Sequence, residues 1–123
     1  MVIVHQPVIQ LHSIYASSKT SFQIDFIDVG QGDSALVQCD GHYMLVDGGN
    51  SDKSSLIYSY LKARNISYLD YIVGTHLDAD HIGGLAGAIN YAKVRTAYCS
   101  ETSHDILTGM SGKIKMMKTS NES

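Results

Sequence analysis

The stretch Thr75 to Gly84, THLDADHIGG, places His76, Asp78, Asp80 and His81 within six consecutive positions. Two imidazoles and two carboxylates held so close repel one another or stay heavily solvated unless a positive charge sits among them, and a divalent cation is the usual solution. Immediately upstream, Leu69 to Thr75 (LDYIVGT) is an apolar run rich in β-branched and aromatic residues, the pattern of a buried strand. Immediately downstream, Gly83 and Gly84 lead into LAGAINYA, whose small and apolar side chains suit a helix packed closely on a sheet. The cluster is therefore expected at the carboxyl end of a strand. Ligands bind at that edge of an α/β sheet, because loops converge over the strand ends and the next helix presents its amino terminus there.

Two other readings of the stretch compete. In one, Asp80 caps the following helix and the histidines are ordinary polar loop residues, which leaves the crowding unexplained. In the other, Asp78, Asp80 and Gly83 occupy the first, third and sixth positions of a calcium loop; Ile82 and Ile89 then stand where oxygen ligands are needed, so that reading fails.

Toward the amino terminus, Phe22 to Val29 alternates Phe22, Ile24 and Phe26 with Gln23 and Asp25, which predicts a strand. Gly30 to Ala35 (GQGDSA) matches the dinucleotide fingerprint GxGxxA, but that fingerprint has meaning only where a helix follows to hold a pyrophosphate. Instead, Ser34 to Cys39 and His42 to Asp47 are two short β-type runs flanking Asp40 and Gly41, the strongest two-residue hairpin signal. Gly48, Gly49 and Asn50 then break the sheet. Ser51 or Asp52 can cap a helix running to about Arg64, with Leu56, Ile57, Tyr60 and Leu61 on one face and Asn65 ending it in the left-handed conformation. After the metal loop come a helix over 83–92, a strand from Val94 to Cys99 and a last helix within 103–118. A hairpin sheet followed by alternating strands and helices gives an α/β or α+β class with a mixed sheet and flanking helices.

With these segments in place, THLDADHIGG resembles the HxHxDH metal-binding signature of the metallo-β-lactamase superfamily. Asp78 stands where that signature has its second histidine, a variant similar to the β-lactamase-like domain of bacterial DNA-internalisation competence proteins and their secreted relatives. FIDVGQGDS, Phe26 to Ser34, is similar to that subgroup's opening strand and glycine turn, and MLVDGG, Met44 to Gly49, to its next strand and aspartate. The resemblance covers roughly residues 22 to 100 and implies the first half of an αββα sandwich. It also implies that His76 and Asp78 serve one metal, that Asp80 and His81 serve a second, and that Asp47 supports the loop without touching a metal. The family's later ligands have no matching motif here. The expected organisation is an N-terminal segment over 1–21, the half domain over 22–110 and a tail over 111–123.

Replacing a histidine by Asp78 makes the site richer in oxygen, which brings manganese into competition with zinc for up to two positions. Two cations a few ångströms apart suit an in-line displacement, with Asp80 able to orient the attacking water, and the matching anionic substrate is a phosphodiester. The competence-protein resemblance points to DNA. The alternative is a noncatalytic half domain that folds by self-association or with a missing second half, because a half-sandwich exposes the apolar face of its sheet. His104 is an extra candidate ligand, since it follows a strand end as the metal loop does, set against an exposed loop or capping role. Asp33 reads as structural, and His5, His12 and His42 as surface residues.

The 123 residues suffice for one small domain, and 44% hydrophobic content excludes a disordered tail. A net charge of −3 gives no global basic field for nucleic acid, and Lys113, Lys115 and Lys118 read as a solvated face. Cys39 and Cys99 leave the compartment undecided. No run reaches the roughly 18 to 20 apolar residues of a membrane span, and residues 1–18 lack the basic start of a signal peptide.

Overall fold

The computed structural model describes residues 21–76 and 78–99. The helix expected within 103–118, and His104, lie outside the described residues. Within them runs one five-stranded mixed sheet in chain order: β1 (Phe22–Phe26), β2 (Ala35–Cys39), β3 (His42–Val46), β4 (Tyr68–Val73) and β5 (Lys93–Tyr98). The first three strands are antiparallel, and β4 and β5 join parallel to β3. The β2–β3 hairpin turns on Asp40 and Gly41 as the dipeptide predicts, with φ values of 48° and 82°. Positive φ at both central residues is what a two-residue turn needs to match the twist of its strands.

The β3–β4 crossover begins with a 3₁₀ turn, Ser51–Lys53, that runs directly into helix α1, Ser54–Ala63. Neither Ser51 nor Asp52 caps it: no side chain makes a cap bond at either start. The 3₁₀ turn closes its own backbone bond, Lys53 N–H to Asn50 O at 2.9 Å, and the Ser54 hydroxyl donates to the Gly83 carbonyl across the fold. The far end follows the prediction. Asn65 sits at φ 56° and donates to Lys62 O while Ile66 donates to Leu61 O, the paired bonds of a left-handed helix stop sealed by buried Leu61 and Ile66. Of the four apolar residues expected on the buried face of α1, Ile57 and Leu61 are fully buried, Tyr60 is half-buried and Leu56 is exposed. The second crossover holds a single helical turn, α2 (Ala79–Ile82), and helix α3 (Leu85–Tyr91).

One row of paired residues explains the core. Leu36 lies opposite Leu45, Leu45 opposite Ile72 and Ile72 opposite Ala97, and all of them are fully buried. They form a cluster with Ile57 and Leu61 of α1 and Leu85 and Ala88 of α3. The row ends on β1 at Asp25, opposite Leu36, whose carboxylate accepts from the Tyr60 hydroxyl and the Gln38 amide. Period-two alternation therefore turns Phe22, Ile24 and Phe26 to the other side of the sheet, where they are 68%, 43% and 85% exposed. A second row, Ile24–Val37–Met44–Tyr71–Thr96, crosses that same side. The helices cover one face, and the other is apolar and uncovered among the described residues. No helix among them is long and apolar enough to cross a membrane.

Candidate metal centre

Parallel pairing of β3 and β4 sets their carboxyl ends side by side, with Val46 opposite Val73. Asp47, the residue after β3, then meets the end of β4: its N–H donates to Val73 O at 2.8 Å, and its Oδ1 accepts from the N–H of Thr75, two residues past that strand, at 2.8 Å. Asp47 Oδ2 also accepts from the Thr75 hydroxyl and from Nδ1 of His81, the latter at 3.1 Å. Asp47 is only 2% exposed and adopts φ 56°, a left-handed conformation that aspartate tolerates better than most residues. Its own carbonyl accepts from the buried Ser34 hydroxyl. The carboxylate is thus fixed from several sides before it contacts the histidine.

In the neutral ring, Nδ1 of His81 is the donor beside this carboxylate, which leaves the lone pair on Nε2. Asp47 raises the His81 pKa above the ordinary imidazole range, chiefly through this hydrogen bond; burial opposes the shift, and the charges of Asp47, Asp80 and Asp33 add to it. Nε2 lies 3.9 Å from Asp80 Oδ1, and the His76 ring stacks on the His81 ring with centroids 4.7 Å apart. His76, Asp80, His81 and Asp47 are therefore neighbours. Asp78 precedes α2 with an exposed side chain, and its carbonyl accepts from His81 N–H, so it starts the turn through its backbone. Asp80 lies inside this turn and does not cap a helix. Among the described residues no three His, Cys, Asp or Glu side chains converge closely enough to hold an ion as they stand.

Two contributors escape the sequence reading. Thr75 gives Asp47 both its amide and its hydroxyl, and its only signal is its place as the last residue of the apolar run LDYIVGT. Asp33, read as structural, puts its exposed carboxylate 3.7 Å from His81 Nδ1. His42 is a surface residue as expected, paired with buried Asp70. A groove between α1 and α3, lined by Ser54, Ser55, Tyr58, Ser59, Gly87 and Asn90, includes none of the candidate ligands.

Among known proteins, the family model of the metallo-beta-lactamase superfamily matches residues 27–120. The chain is 30% identical over 100 residues to ComE operon protein 3 of Bacillus subtilis (strain 168), covering 67% of this chain and 13% of that protein. It is 36% identical over 72 residues to Recombination protein 2 of Haemophilus influenzae, covering 54% of this chain and 9% of that protein. Microtubule-associated protein 1A of Homo sapiens is 38% identical over 60 residues, 49% of this chain and 2% of that protein. The chain spans 13% or less of the length of these curated relatives.

Proposed function

The chain belongs to the metallo-β-lactamase superfamily, and from that membership we propose that His76, Asp78, Asp80 and His81 are ligands of a divalent-metal site serving phosphodiester hydrolysis, with Asp47 holding His81 in place. The mixed five-stranded sheet with its helices agrees with part of that family's fold. The observation that carries the reading is the Asp47–His81 hydrogen bond. A ligating histidine characteristically gives its other ring nitrogen to a carboxylate, which fixes the tautomer and the ring direction. Here the buried Asp47 takes Nδ1, and Nε2 is left facing Asp80.

The donor chemistry fits zinc or manganese, since two imidazoles and two carboxylates form a mixed nitrogen and oxygen set. A cation bound there supplies Lewis acidity toward a phosphoryl oxygen and lowers the pKa of a water molecule. In this reading Asp80, half-buried at the start of α2, would orient that water and take its proton. A nucleic-acid phosphodiester is the favoured substrate class, given the competence-type motifs and a relative named for recombination. Sites of this kind use about three protein ligands per catalytic metal, so the four residues alone support weak binding and slow turnover.

Titration of the chain with Zn²⁺, Mn²⁺ or Co²⁺, followed by assay on bis(p-nitrophenyl) phosphate, tests this reading. Binding that His81→Ala removes is expected, and binding unaffected by His81→Ala overturns the assignment.

The uncovered sheet face favours a second reading alongside the first. Phe22, Ile24, Phe26 and Tyr71 form an exposed apolar surface of the kind that marks a protein interface. A second copy or another part of a longer protein covers it in this reading.

A further inference from the structure

Three backbone segments meet behind the candidate ligands, and each brings glycines to the meeting point: Gly30–Asp33, Asp47–Asn50 and Asp78–Leu85. Gly48 N–H donates to the carbonyl of His81 at 2.6 Å, Gly49 N–H to the carbonyl of Asp33 at 3.1 Å, and Gly84 N–H to the carbonyl of Gly49 at 2.9 Å. These bonds run chain to chain with no side chain between. A Cβ on Gly84 would overlap the Gly48 carbonyl, and one on Gly83 would overlap the Ser51 amide. The closest approach to a ligand is made by Gly32. A Cβ there would overlap the Asp80 carbonyl oxygen and lie 3.4 Å from the Asp80 Cβ.

We propose that Gly32 is a positioning residue: its bare backbone is the stop against which the metal loop rests, and it sets where Asp80 and His81 stand. The inference rests on the metal reading and extends it to a turn that reads by itself as a structural bend. Ligands must be held to within about 0.5 Å of their working geometry. A methyl group at residue 32 overlaps backbone, which cannot swing aside as a flexible side chain does, so the glycine turn and the Asp80 backbone must move apart. Gly48 carries any movement of the loop back to Asp47, its chain neighbour, because it donates to His81 O.

Gly30 provides the control within the same turn. Gly30 (φ 71°) and Gly32 (φ 105°) both lie in the left-handed region, so alanine strains the backbone at either, but a Cβ on Gly30 meets nothing nearer than Lys53 Cε at 3.9 Å. Co²⁺ titrations of the unaltered chain, Gly30→Ala and Gly32→Ala, read from the visible d–d bands, separate strain from contact. Gly32→Ala is expected to bind about 10- to 100-fold more weakly with altered bands, and Gly30→Ala close to the unaltered chain. Equal loss in both variants, or no loss in Gly32→Ala, overturns the proposal. If circular dichroism shows Gly32→Ala unfolded, amide exchange of the unaltered chain decides. Slower exchange at Gly48, Gly49 and Gly84 on Co²⁺ addition, with Gly41 unchanged, supports it; no change at those amides overturns it. If the unaltered chain gives no Co²⁺ bands, the metal reading fails by itself. The positioning claim is then read in metal-free protein, where Gly32→Ala but not Gly30→Ala must shift the Asp80 amide and His81 ring resonances.

Discussion

Asp47 Oδ2 lies 3.1 Å from His81 Nδ1, so a buried carboxylate at the end of β3 sets the ring of a histidine 34 positions later in the chain. Asp47→Asn is the informative substitution. Asparagine tolerates the φ of 56° and its amide oxygen can still accept the Thr75 N–H, but it then turns its NH2, a donor, toward His81 Nδ1 in place of the carboxylate oxygen. Metal affinity is expected to fall about 10- to 100-fold. Nitrogen-15 spectra of neutral His81 should show Nδ1–H in the unaltered chain and a shift toward Nε2–H in the variant. Asp47→Ala adds a left-handed strain of about 1–2 kcal/mol, so its instability by itself says nothing of the site.

Asp70 tests the fold away from the loop. Its buried carboxylate accepts from Tyr43 N–H at 2.9 Å and pairs with His42, and the Tyr43 bond is the first cause of its lowered pKa. Because the folded pKa lies below the unfolded one, this stabilisation is present above the unfolded value and lost as pH falls through the folded value. Asp70→Ala leaves Tyr43 N–H without its acceptor and should cost about 1–3 kcal/mol near neutral pH. Urea midpoints measured from pH 6 down to 2 should converge for the two proteins; a constant gap would rule out the carboxylate as its source.

Much of this architecture is legible in local chemistry. Asp40–Gly41 demands a tight hairpin, Asn65 a left-handed helix stop, and LDYIVGT followed by HLDADH a strand that ends at a cluster of donors. What escapes depends on distant pairing. The alternation of Phe22, Ile24 and Phe26 shows a strand but not which face meets the helices, and register with β2 turns them away from the core. Thr75 and Gly32 matter through residues that only the parallel crossover brings near. The 3₁₀ start of α1 replaces the cap expected from Ser51 or Asp52, because the 53–50 backbone bond closes the turn locally.

The uncovered sheet face predicts association. Phe22 and Phe26 are 68% and 85% exposed, and burying one such ring stabilises by about 1.5–3 kcal/mol. Sedimentation of the chain alone should show concentration-dependent self-association, and Phe22→Ser with Phe26→Ser should shift it toward monomer without altering the circular dichroism spectrum. Neither ring contributes to the buried core, so the fold should survive. A monomer at high concentration would argue that this face is not an interface between copies.

Hydrolysis gives the most demanding test, because the proposed chemistry assigns Asp80 two tasks. It lies in the loop with Oδ1 3.9 Å from His81 Nε2, half-buried, where a carboxylate can share a cation and also take a proton from water. Asp80→Ala removes both tasks and should abolish the slow cleavage of bis(p-nitrophenyl) phosphate. Asp80→Asn retains an oxygen donor but cannot take the proton, so binding should weaken less than turnover, which should drop by about 10²–10⁴-fold. Chelator should abolish activity in the unaltered chain, and Zn²⁺ or Mn²⁺ should restore it. If turnover and affinity fall by equal factors in Asp80→Asn, Asp80 is a ligand only, and the proton acceptor lies elsewhere. Turnover that survives both chelator and Asp80→Ala would remove the metal reading altogether.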